Sequence, residues 1–435
     1  MIGKIEYSDR TAIEQYQLEK LIESLHYLNK NSTYYKSLFD IHKINPAEIK
    51  SIAAFQKIPT TSKIHLQEHN MDFLCIPTTD VAEWITTSGT LGSPVSFALS
   101  KNDLTRLAKN EARSLAITAC NSNDTIQLMV TLDKRFMAGL AYYLGAQHYG
   151  ATTIRVGSGS PGLQLDSMLR FHPQVMIAVP SFLLNVLQYA EKNNIELPRH
   201  LVKKVICIGE PIRDQQYQLN NLGKRIKAFW PSVELYSTYA STEMSTAITE
   251  CKEGQGGHIP TELIYIELLD ENDQPVPDGE PGEVCITSLG IEAMPLLRYK
   301  TGDICVKNVT PCSCGINSYR LSPVLGRKKQ MMKYRGTTLF PETIYELLNG
   351  ITAIKDYIVL IESNEIETDD LTLIICSDKE QDREELILDV TEKCNTHLRV
   401  KPQIRLISVP ELRKLKYPST SRKPLKLIDK RKKNY

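Results

Sequence analysis

A loop rich in glycine and hydroxyl residues is the first segment whose composition suits ligand binding. It spans Thr86–Pro94, reads Thr-Thr-Ser-Gly-Thr-Leu-Gly-Ser-Pro, and follows a predicted strand that ends at Ile85-Thr86. Glycines let backbone N–H groups approach a phosphate, and hydroxyls donate further hydrogen bonds to it. The loop lacks the Gly-Lys-Ser/Thr ending of the common nucleotide P-loop. By itself it indicates either a phosphate-binding loop or a surface turn.

A second set of residues could bind a metal ion. Six residues separate Cys251 from His258, and one residue separates Cys312 from Cys314. Three thiolates and one imidazole suit structural Zn²⁺, which is tetrahedral and leaves no open position for catalysis. The Cys-x-Cys spacing is less common than Cys-x-x-Cys, so free cysteines with no metal are the alternative interpretation.

Two apolar patterns describe the elements that must position these residues. Short, nearly continuous apolar runs alternate with amphipathic helices at residues 126–130, 152–156, 175–179 and 204–208. This pattern is typical of parallel strands covered on both faces. From about residue 250 to 326, alternating strands and turn-forming clusters predict a β subdomain. The predicted fold class is therefore α/β, with mostly parallel sheets flanked by helices in a large N-terminal domain.

The C-terminal part has a third pattern, which predicts a small α+β domain. Its expected elements are helices at residues 342–348 and 383–394 and strands at residues 357–361, 371–376 and 403–408. A chain of 435 residues is too long for one ordinary core. We therefore predict an N-terminal domain at residues 1–328 and a small, mobile C-terminal domain at residues 329–435.

Composition and charge exclude several other classes of protein. The formal net charge of +1 gives no general case for binding nucleic acid, and no stretch approaches the ~18 apolar residues of a membrane span. Most of the ten cysteines stand singly in apolar segments, which is typical of reduced thiols and predicts a cytoplasmic location. Ten basic residues between Arg413 and Lys433 form either a solvated tail or a surface for phosphates. The oligomeric state stays open, with a homodimer as one option.

Further motifs follow the glycine-rich loop in a fixed order. They are Tyr239–Glu243 (Tyr-Ala-Ser-Thr-Glu), Tyr299–Asp303 (Tyr-Lys-Thr-Gly-Asp), Gly326-Arg327 and Arg335–Pro341 (Arg-Gly-Thr-Thr-Leu-Phe-Pro). With the loop they resemble the adenylate-forming superfamily of acyl-CoA synthetases. The last motif and the short chain resemble the phenylacetate–CoA ligase branch, and Gly209–Pro211 and Leu425–Asp429 support that placement. The resemblance extends from about residue 30 to about residue 430.

This resemblance implies a ligase that uses ATP and Mg²⁺. The enzyme would join a carboxylic acid to AMP, release pyrophosphate, and then transfer the acyl group to coenzyme A. Two alternatives stay open. The acyl group could pass to the thiol of a carrier protein, or the chain could be a non-catalytic nucleotide-binding homologue.

The resemblance also implies roles for single residues. Tyr239 would stack on adenine, Asp303 would accept hydrogen bonds from the ribose hydroxyls, and Arg327 would add a charge-assisted contact. Thr242 would assist at the α-phosphate, and Glu243 would hold Mg²⁺. The full set expected to bind ATP or AMP is Thr87, Ser88, Gly89, Thr90, Gly92, Gly209, Glu210, Pro211, Tyr239, Ala240, Ser241, Asp303 and Arg327.

The lysine that stabilises the charge of adenylation comes from the C-terminal domain in this superfamily. Lys423 is the best positional match, and a lysine placed between nucleophile and leaving group would stabilise both. Arg422 stands where the family has a glycine, and Pro424 follows, so Lys426 is the rival.

Two further positions depart from the family pattern. Lys329 takes the hinge position, where acidic residues are common; rotation about it would remove Lys423 before the thioester step. Ser93 stands where a lysine often follows the last glycine of the loop, which weakens one expected phosphate contact.

The segment Lys134–Ala141 resembles the pocket helix of aryl-acid ligases. Phe136 takes the position of an aromatic residue that flanks the substrate ring, and Met137, Ala138 and Gly139 complete the predicted acid pocket. An aryl or arylacetic acid is the expected substrate class. A buried apolar helix with no substrate contact is the alternative.

Overall fold

The computed structural model describes residues 2–87, 95–197, 201–330, 332–334, 337–363, 369–377, 383–418 and 424–431. Contacts divide the chain into two compact units, and the division falls between Val324 and Leu325. The predicted domain boundary lies a few residues later, after residue 328.

Helices form the first part of the first unit: α1 (Arg10–Asn31), α2 (Thr33–His42), α3 (Ile52–Phe55) and α4 (Lys63–Glu68). Asp9 caps α1 because its carboxylate accepts the backbone N–H of Ala12 at 2.9 Å. Leu21, Leu25 and Leu28 recur at helical spacing and are buried in the core. The helical spacing of these leucines therefore accounts for the way α1 packs into the core.

A hairpin and then alternating strands and helices follow. They are β1 (Glu83–Thr86), β2 (Ser96–Leu99), α5 (Lys101–Ile117), β3 (Thr125–Leu128), α6 (Met137–Tyr149), β4 (Thr152–Arg155), α7 (Pro161–Phe171), β5 (Val175–Ala178), α8 (Pro180–Lys192), β6 (Lys204–Ile208), α9 (Asn221–Phe229) and β7 (Glu234–Ser241). The strands β3, β4, β5 and β6 match the four apolar runs, and every residue of β5 is buried.

The predicted β subdomain consists of β8 (Thr246–Glu250), β9 (Gly257–His258), β10 (Ile264–Leu269), β11 (Pro281–Ser288), β12 (Tyr299–Asn308) and β13 (Arg320–Leu321). Hydrogen bonds join these strands to the parallel ones in the order β10-β11-β12-β13-β9-β8-β7-β6-β5-β3-β4. Neighbours from β7 to β4 in this order are parallel, and those from β10 to β7 are antiparallel. The subdomain therefore continues the parallel sheet.

The second unit has its own core and sheet. Its elements are β14 (Gly326–Arg327), β15 (Met332–Tyr334), β16 (Thr337–Leu339), α10 (Pro341–Asn349), β17 (Asp356–Ser363), β18 (Asp369–Cys376), α11 (Arg383–Lys393), β19 (Gln403–Leu406), α12 (Val409–Lys416) and β20 (Leu427–Asp429). The main sheet has the order β19-β18-β17-β20. Val359, Leu373 and Ile375 lie fully buried between this sheet and its helices.

These elements confirm the predicted α/β fold class. The expected strands and helices of the C-terminal region recur within a few residues of their predicted bounds. Among the described residues, no helix is both long and apolar enough to cross a membrane.

Candidate active site

The two ends of the predicted phosphate loop are held together. The backbone N–H of Thr87 donates to the carbonyl of Val95 at 2.9 Å, and the N–H of Val95 donates to Thr87 Oγ1 at 3.0 Å. The N–H of Thr86 donates to the carbonyl of Arg135 at 3.2 Å, so the loop begins beside the segment that precedes α6. The other predicted loop ligands lie outside the described residues: Ser88, Gly89, Thr90 and Gly92.

Three predicted site segments lie at one edge of the sheet. Gly209–Pro211 follow β6, Ala240–Glu243 lie at the end of β7, and Phe136–Gly139 follow β3. The carboxyl ends of parallel strands meet at the same edge, and ligands of open α/β sheets bind in the crevice outside it. The topology therefore brings the predicted adenine and acid-pocket residues to one side of the unit.

A hydrogen bond joins two predicted nucleotide residues that are 64 positions apart. Tyr239 donates its hydroxyl to Asp303 Oδ2 at 2.7 Å. The N–H of Asp303 bonds Thr301 Oγ1 at 3.1 Å, across Gly302, whose φ of 81° is left-handed and suits glycine. Burial, and then the charge of Asp303, raises the pKa of Tyr239 well above its ordinary value of 10. The tyrosine is therefore a neutral donor to the buried carboxylate.

A buried arginine that the sequence did not reveal holds the turn carrying Thr242 and Glu243. Arg106 of α5 donates to the carbonyl of Ser245 at 2.8 Å and to Thr246 Oγ1 at 3.1 Å. It also donates to the carbonyls of Leu263 and Leu289. Burial lowers the pKa of Arg106 from 12.5 to about 10, so its guanidinium stays charged near neutral pH. A single arginine within an amphipathic helix gives no local signal of this role.

Glu210 follows β6 in the chain, and its side chain contacts the N-terminus of α8. Its carboxylate accepts the backbone N–H and the hydroxyl of Ser181, both at 2.9 Å. The first N–H groups of a helix have no partner within the helix, and a negative charge there is favourable. The backbone of Gly209 is left-handed, with a φ of 75°. Glu210 therefore ties the end of β6 to α8, a contact that the sequence did not predict.

The pocket helix begins later than the sequence indicated. The expected start was Lys134, but α6 begins at Met137 with Phe136 as its N-cap. Lys134 and Arg135 have φ values of 60° and 57°, which are left-handed and end any regular helix. The apolar pattern from Phe136 onward is helical, but it carries no signal for the two preceding backbone conformations.

Close packing fixes α6 in place. A Cβ on Gly139 would lie 2.0 Å from the carbonyl oxygen of Thr131, so a larger residue cannot fit there without movement. Met137 belongs to the same apolar cluster as Tyr239, whereas Ala138 packs into a separate cluster with Tyr142. Met137 of the predicted acid pocket and the predicted adenine residue Tyr239 therefore pack into one core, and Ala138 packs into another.

The sequence model of the AMP-binding enzyme family matches residues 26–293, which is more than half of the chain. This chain belongs to the AMP-binding enzyme family. A phenylacetate-coenzyme A ligase of Thermus thermophilus is 27% identical over 377 residues, covering 85% of this chain and 82% of the relative. That of Aromatoleum evansii is 28% identical over 348 residues, covering 79% and 77%. The predicted resemblance to this branch is confirmed.

A solved structure shares the fold. A 2-hydroxyisobutyryl-CoA ligase in complex with 2-HIB-AMP superposes with a TM-score of 0.84 at 21% sequence identity. The superposition covers 97% of this chain and 90% of the other.

The four predicted metal ligands of this family member converge. The side-chain ligand atoms of Cys251, His258, Cys312 and Cys314 all lie within 4.8 Å of one another. The sulfurs of Cys251 and Cys312 are 3.7 Å apart, and the sulfur of Cys314 is 3.4 Å from His258 Nε2. Ligands about 2.3 Å from a tetrahedral ion would place two sulfurs about 3.8 Å apart. The quartet has the chemistry and the spacing of a closed zinc site.

Burial determines which protonation states the quartet favours. It raises the pKa of Cys251 and of Cys314, and the neighbouring Cys312 raises both further. Burial, followed by the charges of Arg113 and Arg320, lowers the pKa of His258 from 6.5 to about 3, so this imidazole is neutral. Neutral imidazole is the form that binds metal, and a metal ion would stabilise thiolates in this buried place.

The remaining predicted residues belong to the second unit. Arg327 lies on β14, and Lys329 lies in a short 3₁₀ turn, Lys328–Gln330. Lys423 lies outside the described residues. The rival Lys426 is described, and its Nζ lies 5.8 Å from the centroid of the Tyr345 ring.

Proposed function

We propose that this member of the AMP-binding enzyme family is an ATP-dependent carboxylic acid–coenzyme A ligase. A carboxylate oxygen of the acid attacks the α-phosphorus of ATP, the bond to the bridging oxygen breaks, and pyrophosphate leaves. The thiolate of coenzyme A then attacks the acyl carbon, and AMP leaves as the thioester forms. The ligase relatives support this proposal. The structural observation that supports it best is the hydrogen bond between Tyr239, near the carboxyl end of β7, and Asp303.

Each nucleotide residue has a task that its surroundings suit. The ring of Tyr239 stacks on adenine, while its hydroxyl holds Asp303 toward the ribose diol. The buried carboxylate of Asp303 accepts hydrogen bonds from two adjacent hydroxyls, which selects a ribonucleotide. Arg327 and Lys423, from the second unit, supply positive charge for adenylation.

Glu243 is the residue proposed to hold magnesium. Its carboxylate is half-buried, and a hard oxygen ligand is what Mg²⁺ prefers. The turn that carries it is held by the bond from Arg106 to Ser245. The bound ion would neutralise charge on the phosphates, and Thr242 would donate a hydrogen bond at the α-phosphate.

The proposed substrate class is an aryl or arylacetic acid. Phe136 is half-buried at the N-cap of α6, where its ring can flank a flat substrate. Met137 is buried, Ala138 is half-buried, and the backbone at Gly139 packs against Thr131. An apolar wall with no charged side chain favours an uncharged aromatic tail over a second carboxylate.

The quartet is proposed to hold one structural zinc ion. Four protein ligands complete a tetrahedron and leave no position for a substrate, so the ion would stabilise the β subdomain and take no part in the reaction. The purified chain should contain about one zinc per molecule. Cys314→Ser should lose that metal, whereas Cys120→Ser, a change of a buried cysteine outside the quartet, should keep it.

Acid-dependent ATP–pyrophosphate exchange tests the proposed reaction. Exchange should appear with phenylacetate or benzoate-type acids and be weak with short aliphatic acids. Asp303→Ala should remove most of it, whereas Asp278→Asn, a change at an exposed carboxylate of the same unit, should not. No exchange with any acid of a broad aryl and fatty acid panel would contradict the proposal.

The acceptor needs a separate measurement. Thioester formation with coenzyme A is expected, and a phosphopantetheinyl carrier protein is the competing acceptor. A rate that rises only with the carrier protein would replace coenzyme A in the proposal and leave the adenylation step intact.

A further inference from the structure

A chain of buried polar groups continues from the metal-binding quartet to the N-terminal segment. His258 Nε2 faces the sulfur of Cys314 at 3.4 Å, and His258 Nδ1 lies 3.5 Å from Ser318 Oγ. The Ser318 hydroxyl donates to Glu6 Oε2 at 3.4 Å. Glu6 in turn pairs with Arg113 of α5, whose Nε donates to Glu6 Oε1 at 2.6 Å. All of these side chains except that of Cys314 are buried.

The direction of the hydrogen bonds along this chain follows from the groups at its far end. A carboxylate that pairs with a guanidinium only accepts hydrogen bonds, so the Ser318 hydroxyl must donate to Glu6. The Ser318 oxygen can then accept a hydrogen bond from the Nδ1–H of His258, and the backbone of Ser318 also hydrogen-bonds this imidazole. A neutral imidazole with its proton on Nδ1 has its lone pair on Nε2, which is the atom that faces Cys314. The polar chain therefore selects the tautomer that binds metal through Nε2.

The same residues fasten the N-terminal segment, Gly3–Ser8, to the metal-bearing turn. The N–H of Asn317 donates to the carbonyl of Glu6 at 2.7 Å. The Asn317 amide donates to the carbonyls of Tyr7 and Ser8 at 3.2 and 3.0 Å. Ile2, Cys312 and Cys314 all pack against one small apolar cluster formed by Ile117, Cys251 and Ile316. The segment, the turn and α5 thus meet around one buried ion pair.

We propose that Ser318 and Glu6 are positioning residues of the metal centre, which orient His258 and couple metal binding to docking of the N-terminal segment. This inference rests on the proposed zinc site but not on the proposed ligase reaction. Outer hydrogen-bond partners of a ligand histidine fix its ring and tautomer, and their loss typically weakens metal binding by about 10- to 100-fold.

Competition for zinc between the full-length protein and a chromophoric chelator tests the first part. Ser318→Ala should bind zinc about 10- to 100-fold more weakly than the unchanged protein. Ser318→Thr, which keeps the hydroxyl, should recover most of that loss. Ser322→Ala is the matched control, because Ser322 is equally buried but bonds Val306 and Pro323. Ser318→Ala with unchanged zinc affinity, or an unchanged protein that binds no zinc, would overturn the proposal.

Hydrogen exchange of the backbone tests the second part. Removing zinc with a chelator should speed hydrogen exchange at the amides of Gly3–Ser8. Exchange in α7 should change little, because its buried apolar residues pack in a cluster that contains no residue of the quartet. Equal rates of hydrogen exchange at residues 3–8 with and without zinc would contradict the proposed coupling between metal binding and docking of this segment. ATP–pyrophosphate exchange measured on Ser318→Ala separates the two proposals. A variant that loses zinc affinity but keeps ATP–pyrophosphate exchange supports both proposals. An unchanged protein with no ATP–pyrophosphate exchange contradicts only the proposed ligase reaction.

Discussion

His258 of the quartet and the pair Tyr239–Asp303 lie on the same sheet, but different interactions position them. The short strand β9 pairs with both β8 and β13, so backbone register places His258 opposite Thr249 and Arg320. Tyr239 and Asp303 instead meet through a side-chain hydrogen bond between distant segments. Backbone pairing therefore places His258, whereas the pair Tyr239–Asp303 depends on one side-chain hydrogen bond.

This difference explains which features the sequence predicts. The quartet consists of two local pairs of unusual residue type, so spacing alone suggests a metal site. The strand β6, Lys204–Ile208, is predicted at its observed bounds because the run is short and rich in the β-branched residues Val205, Ile206 and Ile208, which favour a buried strand. The bonds of Arg106 and of Glu210 are invisible in sequence, because they join helices to turns that only the tertiary fold brings together.

The helix start at Met137 shows a second limit of sequence. Left-handed backbone at Lys134 and Arg135 is a local conformation that long polar side chains neither require nor forbid. Gly139 packs closely against the backbone of Thr131, so a tertiary contact holds the first turn of the helix. Apolar spacing predicts that a helix exists, but it does not determine the first residue.

Replacement of Lys423 should have the largest effect, and it should lower ATP–pyrophosphate exchange without changing the metal-binding quartet. Lys423→Ala should lower acid-dependent ATP–pyrophosphate exchange by roughly 10²- to 10³-fold, because Lys423 is proposed to supply the positive charge that stabilises adenylation. Its zinc content should not change. Lys426→Ala is the control, because the Lys426 ammonium lies over the Tyr345 ring and its carbonyl accepts the N–H of Val359. Exchange lost in Lys426→Ala but kept in Lys423→Ala would assign the role to Lys426.

Arg106 is expected to stabilise the turn that carries Glu243, because it donates to the carbonyl of Ser245. Arg106→Met should lower the free energy of unfolding by roughly 3–5 kcal/mol, because the hydrogen bonds of a buried charged donor to several acceptors are lost. Urea unfolding measures this change. Arg170→Met, at an exposed pair with Asp166, should change it by less than about 0.5 kcal/mol. An equally small loss for both variants would mean that other contacts hold the turn.

Helix α5 carries two buried charged residues that face different parts of the unit. Arg113 pairs with Glu6 on the side of the quartet, and Glu111 packs against Gly145 of α6. Burial raises the pKa of Glu111 from 4.5 to about 7. Between these values the folded chain keeps a proton that the unfolded chain has lost, so stability falls as pH rises from about 4.5 to about 7 and then levels off. The loss reaches up to about 3 kcal/mol.

Glu111→Gln should remove that part of the pH dependence, and urea unfolding at pH 5 and pH 8 measures it. The variant should gain stability over the unchanged protein mainly at the higher pH. Glu191→Gln, at an exposed position of α8, should follow the unchanged protein at both. A variant of Glu111 that keeps the full pH dependence would show that other groups cause it.

Loss of the hydrogen bond between Tyr239 and Asp303 should have the smallest effect of these changes. Tyr239→Phe keeps the ring that stacks on adenine but removes the hydroxyl that holds Asp303. One hydrogen bond to a carboxylate contributes about 1.5 kcal/mol, so the KM for ATP should rise by about 10-fold with little change in kcat. A lower kcat with unchanged KM would mean that Asp303 acts mainly in the transition state. If neither constant changed, the role of Asp303 would not depend on the Tyr239 hydroxyl, and the backbone N–H of Asp303, which donates to Thr301 Oγ1, would be enough to position the residue.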